Sequence, residues 1–190
     1  MREPIGLILA GGRGARMGDF AKADLQLGGR RLLDLCADRL EPQVSAMAVN
    51  SNNPINTDLQ IIEDTMSGHL GPLAGVLAGL EWAQSIGETH IVTAAVDTPF
   101  FPCDLVPNLL MAGEGGLAIA ATSDGDHGTF GIWPVTLHTA LATFLEDGGR
   151  KVRAFTTSHG AAIAMFPDTT PPSFFNINTL DDLAQAALWM

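Results

Sequence analysis

Short apolar runs, separated by polar stretches rich in glycine and proline, recur along the whole chain. Runs at 5–9, 46–50, 59–63, 91–96, 117–121, 129–133 and 162–166 predict strands. Several are continuously apolar instead of alternating, which suits a sheet covered on both faces. Between them the period lengthens to that of a helix. Leu32, Leu33, Cys36, Ala37 and Leu40 share one helical face, and Leu73, Val76, Leu77 and Leu80 share another. Leu137, Leu141 and Leu145 predict a third helix, and a fourth is expected from Thr179, an N-cap with Asp182 at its third position, to the C-terminus.

The order strand, helix, strand, strand, helix, strand predicts a three-layer α/β/α sandwich around a mostly parallel sheet. Residues 168–173 (D-T-T-P-P-S) read as a loop, and no repeat or linker divides the chain, so residues 1–190 are expected to form one domain.

The first predicted strand ends in Gly11, Gly12 and Gly14, and Arg13, Arg16 and Lys22 crowd into the loop that follows. A buried strand opening into a glycine-rich, cationic turn brings bare backbone N–H groups and positive charge up to a polyphosphate. The P-loop pattern is absent, because Ala21 and Ala23 flank Lys22, and the dinucleotide fingerprint fails at Met17. Charge makes the loop stand out. Formal net charge is −11, and no Lys or Arg lies between Glu41 and Gly149. Such a loop focuses a small anionic ligand, while the overall charge argues against a nucleic-acid surface or an anionic membrane.

Polar residues stand at three strand exits: Asn50, Asp64 and Asp97, the last within Asp97-Thr98-Pro99. An aspartate leaving a buried strand suits a hard cation whose shell phosphate oxygens complete. Ligands of open α/β sheets bind at that edge.

With those residues in view, the chain resembles nucleotidyltransferases of the nucleotide-diphospho-sugar transferase type, whose Rossmann-like sheet it is then expected to share. More narrowly it is similar to the molybdenum cofactor guanylyltransferases of the MobA type. The resemblance rests on L-A-G-G with Arg16-Met17-Gly18 and Lys22, Leu27-Gly28-Gly29, Gly71-Pro72-Leu73-Ala74-Gly75, Asp97-Thr98-Pro99-Phe100, Arg150-Lys151-Val152-Arg153 and Asn176-Ile177-Asn178-Thr179. It implies GTP binding by Leu9, Ala10, Gly11 and Gly12 with Lys22, Asn50, Asp64 and Asp97, and Asp97 as the Mg²⁺ ligand. L-A-G-G and D-T-P, where related cytidylyltransferases tend to show L-A-A-G and D-Q-P, favour guanine.

The implied reaction moves GMP from GTP to the phosphate of molybdopterin, with or without bound molybdenum, and releases pyrophosphate. Arg16, Lys22 and Asp97 are expected to carry it, and Arg150, Lys151, Arg153, Asn176 and Asn178 to face the second substrate. Partners implied beyond GTP and molybdopterin are molybdopterin-delivering proteins and recipient molybdoenzymes. Two departures stand out: Ala21 occupies the usual Asp position before the lysine, and Gly128 follows His127 where the family commonly has His-Pro.

The remaining composition adds exclusions. No apolar run approaches the ~20 residues of a membrane span, and the N-terminus lacks a signal peptide's apolar region. Cys36 and Cys103 read as reduced structural thiols of a cytoplasmic protein. Five scattered histidines show no zinc spacing, and His127 reads as a loop residue that can line the second-substrate cleft. The rival readings are a cytidylyl- or other nucleotidyltransferase on another phosphorylated acceptor, and a non-catalytic GTP-binding adaptor.

Overall fold

A computed structural model describes residues 3–11, 22–68 and 70–190 of the chain. In chain order its elements are β1 (Ile5–Leu9), β2 (Gln26–Leu27), β3 (Arg30–Arg31), α1 (Leu32–Leu40), β4 (Met47–Asn50), β5 (Gln60–Ile62) and α2 (Pro72–Ser85). They continue with β6 (His90–Ala95), α3 (Leu105–Gly113), β7 (Ala118–Thr122), β8 (Gly125–Pro134), α4 (His138–Glu146), α5 (Val152–Ser158), β9 (Ala162–Met165) and α6 (Leu180–Ala187).

Seven strands form one sheet in the order β5-β4-β1-β6-β8-β7-β9, and β2 and β3 make a separate hairpin. Strands β5, β4, β1 and β6 run parallel, β8 is antiparallel to both its neighbours, and β9 is parallel to β7. The mostly parallel sheet is therefore as expected. Alternation sends Ile5, Leu7 and Leu9 of β1 to one face, with Leu73, Val76 and Leu77 of α2, Leu141 of α4 and Phe155 of α5. Ile8 points to the other, with Leu33 and Cys36 of α1 and Leu105 and Leu109 of α3. Both faces of the central strands are thus covered, which explains their unbroken apolar runs.

Helix α6 packs apart from these layers, its Ala186 in a third cluster with Leu27, Leu32, Phe100 and Ile177. Its start is as expected. Asp182 N–H donates to Thr179 Oγ1, and the Thr179 N–H donates back to Asp182 Oδ2. The two main-chain donations that the Asp182 carboxylate accepts, from Asn178 and Thr179, hold it below its ordinary pKa.

Four readings need correction. The periodicity missed α3 and α5. Pro107 interrupts the first, and the second is seven residues long with Val152, Thr156 and Thr157 in it, poor helix formers that tertiary packing overrides. Strand β8 begins at Gly125, before the expected 129, so His127 is a strand residue facing a cavity and not part of a loop. The outer strands β5 and β9 are not fully covered, and Ile163 and Met165 of β9 are 45% and 62% exposed. Cys103 is exposed as well, so only Cys36 is a buried thiol.

Candidate active site at the carboxyl edge of the sheet

The four parallel strands β5, β4, β1 and β6 end on one edge, so their exits gather residues far apart in the chain. After β1 the chain moves outward to β4 and β5 and then returns to the opposite side of β1 as β6. The crevice where that order reverses is where open α/β sheets place ligands. A cleft of about 230 Å³ lies there, lined by Leu9, Ala10, Gly11, Lys22, Asp97 and Asn176, with Pro72 and Thr129 also on its walls.

Main-chain bonds extend the sheet into this cleft: Ala10 N–H donates to Asn50 O at 3.0 Å and Val96 N–H to Leu9 O at 3.1 Å. They hold the backbone of Leu9, Ala10 and Gly11 beside the exits of β4 and β6.

Lys22 supplies the positive charge. Its ammonium donates to Asp97 Oδ2 and to Asn178 Oδ1, each at 2.7 Å. The Lys22 and Asp97 side chains are only 18% and 20% exposed, so the pair is far less screened than a surface ion pair. Around Asp97 the segment 176–178 closes in. Ile177 N–H donates to Asp97 O at 2.8 Å, and the Thr98 hydroxyl donates to Asn176 Oδ1 at 2.7 Å while lying 3.2 Å from Asp97 Oδ1. A buried Thr98 thereby ties the aspartate to the asparagine.

A second polar group sits at the ends of β4 and β5. Asn50 Nδ2 donates to Asp64 Oδ1 at 2.9 Å and to Ile62 O at 3.0 Å, and Asn52 Nδ2 donates to Asp64 Oδ2 at 2.7 Å. Both oxygens of Asp64 are held, which fixes its plane while leaving lone pairs for donors of a base or sugar. The G-P-L-A-G segment is explained by this neighbour. Gly71 stands before α2 at φ +74°, a conformation that side chains resist, and Pro72 opens the helix. One turn on, a Cβ at Gly75 would overlap the Asn50 side-chain amide, so glycine there lets α2 press against the site.

Of the residues expected from sequence, Leu9, Ala10, Gly11, Lys22, Asp97 and Asn176 meet in the cleft, and Asn178 reaches it through Lys22. Asn50 and Asp64 lie at the adjoining strand ends. Gly12 and Arg16 lie outside the described residues. Arg150, Lys151 and Arg153 line neither this cleft nor the larger cavity beside it. Arg150 Nη1 donates to the carbonyls of Leu145 and Gly149 at 2.7 and 2.6 Å, capping the end of α4. Lys151 is exposed ahead of α5, and Arg153 is 84% exposed with its Nε 3.5 Å from Asp126 Oδ2.

Sequence reasoning missed Thr98, Thr129 and Asn52 as site residues. A threonine after a strand aspartate and an asparagine two positions past Asn50 carry no signal on their own. The single fold-independent clue was the concentration of polar residues at strand exits.

Described residue by residue, the cleft pairs a cationic side chain with a carboxylate over bare backbone, an arrangement suited to a polyphosphate and a divalent metal. Asp97 fits such a metal by donor chemistry: it is a single half-buried carboxylate facing the cleft, and hard divalent cations bound with phosphates use one or two carboxylates from the protein.

Comparison with known proteins agrees with that chemistry. The family described as "MobA-like NTP transferase domain" matches residues 6–163. The molybdenum cofactor guanylyltransferase of Cereibacter sphaeroides is 46% identical over 185 residues, covering 95% of this chain and 94% of that protein. The protein of the same name from Rhizobium leguminosarum is 44% identical, covering 99% and 93%. Among solved structures, molybdopterin-guanine dinucleotide biosynthesis protein A from Archaeoglobus fulgidus superposes with a TM-score of 0.76 at 24% identity, covering 97% of each chain. The 2-C-methyl-D-erythritol 4-phosphate cytidylyltransferase of Thermus thermophilus superposes at 0.67 with 19% identity, covering 99% of this chain and 98% of its own. At those identities the two structures share the fold alone.

Proposed function

This chain belongs to the family of MobA-like NTP transferase domains, and from that membership and the cleft at its sheet edge we propose that it transfers GMP from GTP to the phosphate of molybdopterin. The observation that carries the reading is Lys22, held between Asp97 and Asn178 in a cleft whose other wall is the Leu9-Ala10-Gly11 backbone.

In the proposed reaction an oxygen of the acceptor phosphate bonds to the α-phosphorus of GTP. The bond from that phosphorus to the bridging oxygen of the β-phosphate breaks, and the electron pair leaves with pyrophosphate. A phosphate monoester is already anionic near neutral pH, so the chain need not supply a strong base, and its work is alignment and charge neutralisation. Lys22 offsets charge on the α-phosphate and the departing pyrophosphate. Arg16 is assigned the same role, with a planar fork of donors in place of a point charge. The backbone N–H groups near Gly11 and Gly12 approach the phosphates. Asn50 and Asp64 receive the guanosine, whose adjacent N1–H and amine donors suit a carboxylate. Asn176 meets the acceptor side, and Asn178 orients Lys22 toward it.

The divalent metal of the reaction is assigned as Mg²⁺ on Asp97, where it would neutralise phosphate oxygens. A reaction that consumes GTP supports a cytoplasmic location as part of this reading.

Pyrophosphate release, measured with GTP, CTP or ATP, each with and without molybdopterin and Mg²⁺, tests the proposal. Release requiring GTP, molybdopterin and Mg²⁺ together supports it. Release with CTP moves the chain to cytidylyl transfer, and GTP binding without release under any condition overturns catalysis.

A further inference from the structure

Asn176 is a wall shared by two cavities. Beyond the Lys22–Asp97 cleft it also lines a cavity of about 440 Å³, built from the β7–β8 hairpin and the segment that leads from β9 to α6. The His127 ring stacks on Phe174, centroids 4.3 Å apart at 18°. His127 Nε2 lies 2.8 Å from Thr122 Oγ1, which fixes the ring's rotation. Phe174 is in turn held edge-on by Phe130 and Phe166, at 5.0 and 5.5 Å. The result is a rigid aromatic wall.

The cavity's charge differs from that of the cleft, where Lys22 faces Asp97. Among the described residues no Lys or Arg lines it, whereas Asp124 and Asp168 do, the latter accepting a 2.7 Å bond from Ser123 Oγ. These two carboxylates repel a phosphate and accept neutral N–H donors. A flat heterocycle fits both the stacking wall and the acidic rim.

We propose that this second cavity is the subsite for the pterin ring of the acceptor, with His127 and Phe174 as its stacking wall and Asp124 and Asp168 accepting its N–H donors. The inference rests on molybdopterin being the acceptor. Its consequence is a fixed orientation: the ring lies in the acidic cavity and the phosphate passes Asn176 toward Lys22, where the positive charge is. The exposed cations Arg150, Lys151 and Arg153 are then not the grip on the acceptor. A pterin carries an amine and a ring N–H side by side, the pairing that one carboxylate accepts with two oxygens.

The test is fluorescence titration of free pterin, which has no phosphate, against the whole protein and its His127→Ala and Asp168→Asn variants. GTP affinity and melting temperature are measured on the same samples, so a variant that fails to fold is recognised and Asp168→Asn, on the exposed rim, stands as the milder probe. Expected are saturable binding to the unaltered protein, a loss of roughly tenfold to a hundredfold in Asp168→Asn, and unchanged GTP affinity. The KM for molybdopterin should rise while kcat stays near that of the parent. Absence of pterin binding by the unaltered protein, or equal binding by both folded variants, overturns the subsite. If the unaltered protein turns over GTP with molybdopterin but the folded variants keep its KM, the subsite falls and the function stands. If it binds pterin through these residues yet never turns over molybdopterin, the function falls and the subsite stands.

Discussion

The ammonium of Lys22 donates to Asn178 across 156 positions of chain, at 2.7 Å, and the same group reaches Asp97 at 2.7 Å. Two oxygens thus aim one cation. An amine on four rotatable carbons is otherwise free to sample many positions. Replacing Lys22 by Ala should lower kcat/KM about 100-fold or more, the scale for losing one preorganised charge at a developing anion. Near-parental pyrophosphate release by Lys22→Ala would remove the lysine from the mechanism.

Asn178→Ala leaves the lysine in place but loosens it. The expected loss is smaller, about tenfold, and falls on kcat. Because both changes act through one cation, the double variant should be no slower than Lys22→Ala alone. A rise in the KM for the acceptor with kcat unchanged would instead make Asn178 a direct acceptor contact.

Asp97→Asn keeps the size of the side chain and removes its charge. Turnover should fall by about 100-fold or more, with a higher Mg²⁺ requirement in what remains. Chelation of divalent metal should abolish release from the parent and readdition restore it. A variant with the parent's Mg²⁺ dependence would exclude Asp97 as the ligand.

Gly75→Ala tests the close approach of α2 to the site. The added methyl cannot coexist with Asn50 where it stands. Asn50 must give up its bond to Asp64, at an expected cost of roughly 1–3 kcal/mol, which at this length is about 2–12 °C in Tm. GTP affinity should fall along with Tm, and a stable Gly75→Ala protein that binds GTP normally would show that Asn50 is not part of the nucleotide site.

The two thiols should separate cleanly under a colorimetric thiol reagent. Burial, and then the charge of Asp97, push the Cys36 thiol far up from its ordinary value, while Cys103 is exposed beside Arg39. One thiol should react quickly in the folded protein and the second only on denaturation. Two fast thiols would mean that the face of the sheet beneath α1 opens.

Burial also holds the His127 imidazole below its ordinary pKa, against the opposing pull of Asp124 and Asp126. The unfolded chain then binds the proton more tightly than the folded one. Its contribution is therefore intact above the unfolded value of about 6.5 and declines as pH falls below it. Between pH 7.5 and 5.5 the parent should lose more Tm than His127→Gln, and an NMR titration of His127 should fall below 6.5. Titration at or above that value would mean a wetter ring than the stacked one described.

Much of the site was legible because its signals are local. An apolar run that stops at a polar residue marks a strand exit wherever the strand ends up, which placed Gly11, Asn50, Asp64 and Asp97 at one edge before any fold was known. The capping box of Thr179 and Asp182 is likewise a matter of three residues' spacing. The short helices α3 and α5 were not legible, because their local preference is weak and packing against the sheet decides them.

Local pattern in the sequence therefore determined the fold class, the edge of the sheet that carries chemistry, and the cation and carboxylate that meet there. Tertiary structure alone decided which residues surround them. Antiparallel β8 is inserted between β6 and β7, and that brings His127 onto Phe174. The segment 176–178 folds back over Asp97, so Asn178 orients Lys22. Arg150, which opens a stretch of three cations in four residues that promises anion binding, spends its guanidinium on the end of α4. The pairings of His127 with Phe174 and of Asn178 with Lys22 join positions tens to more than a hundred residues apart, and they arise only when burial of the two apolar faces has set the sheet order.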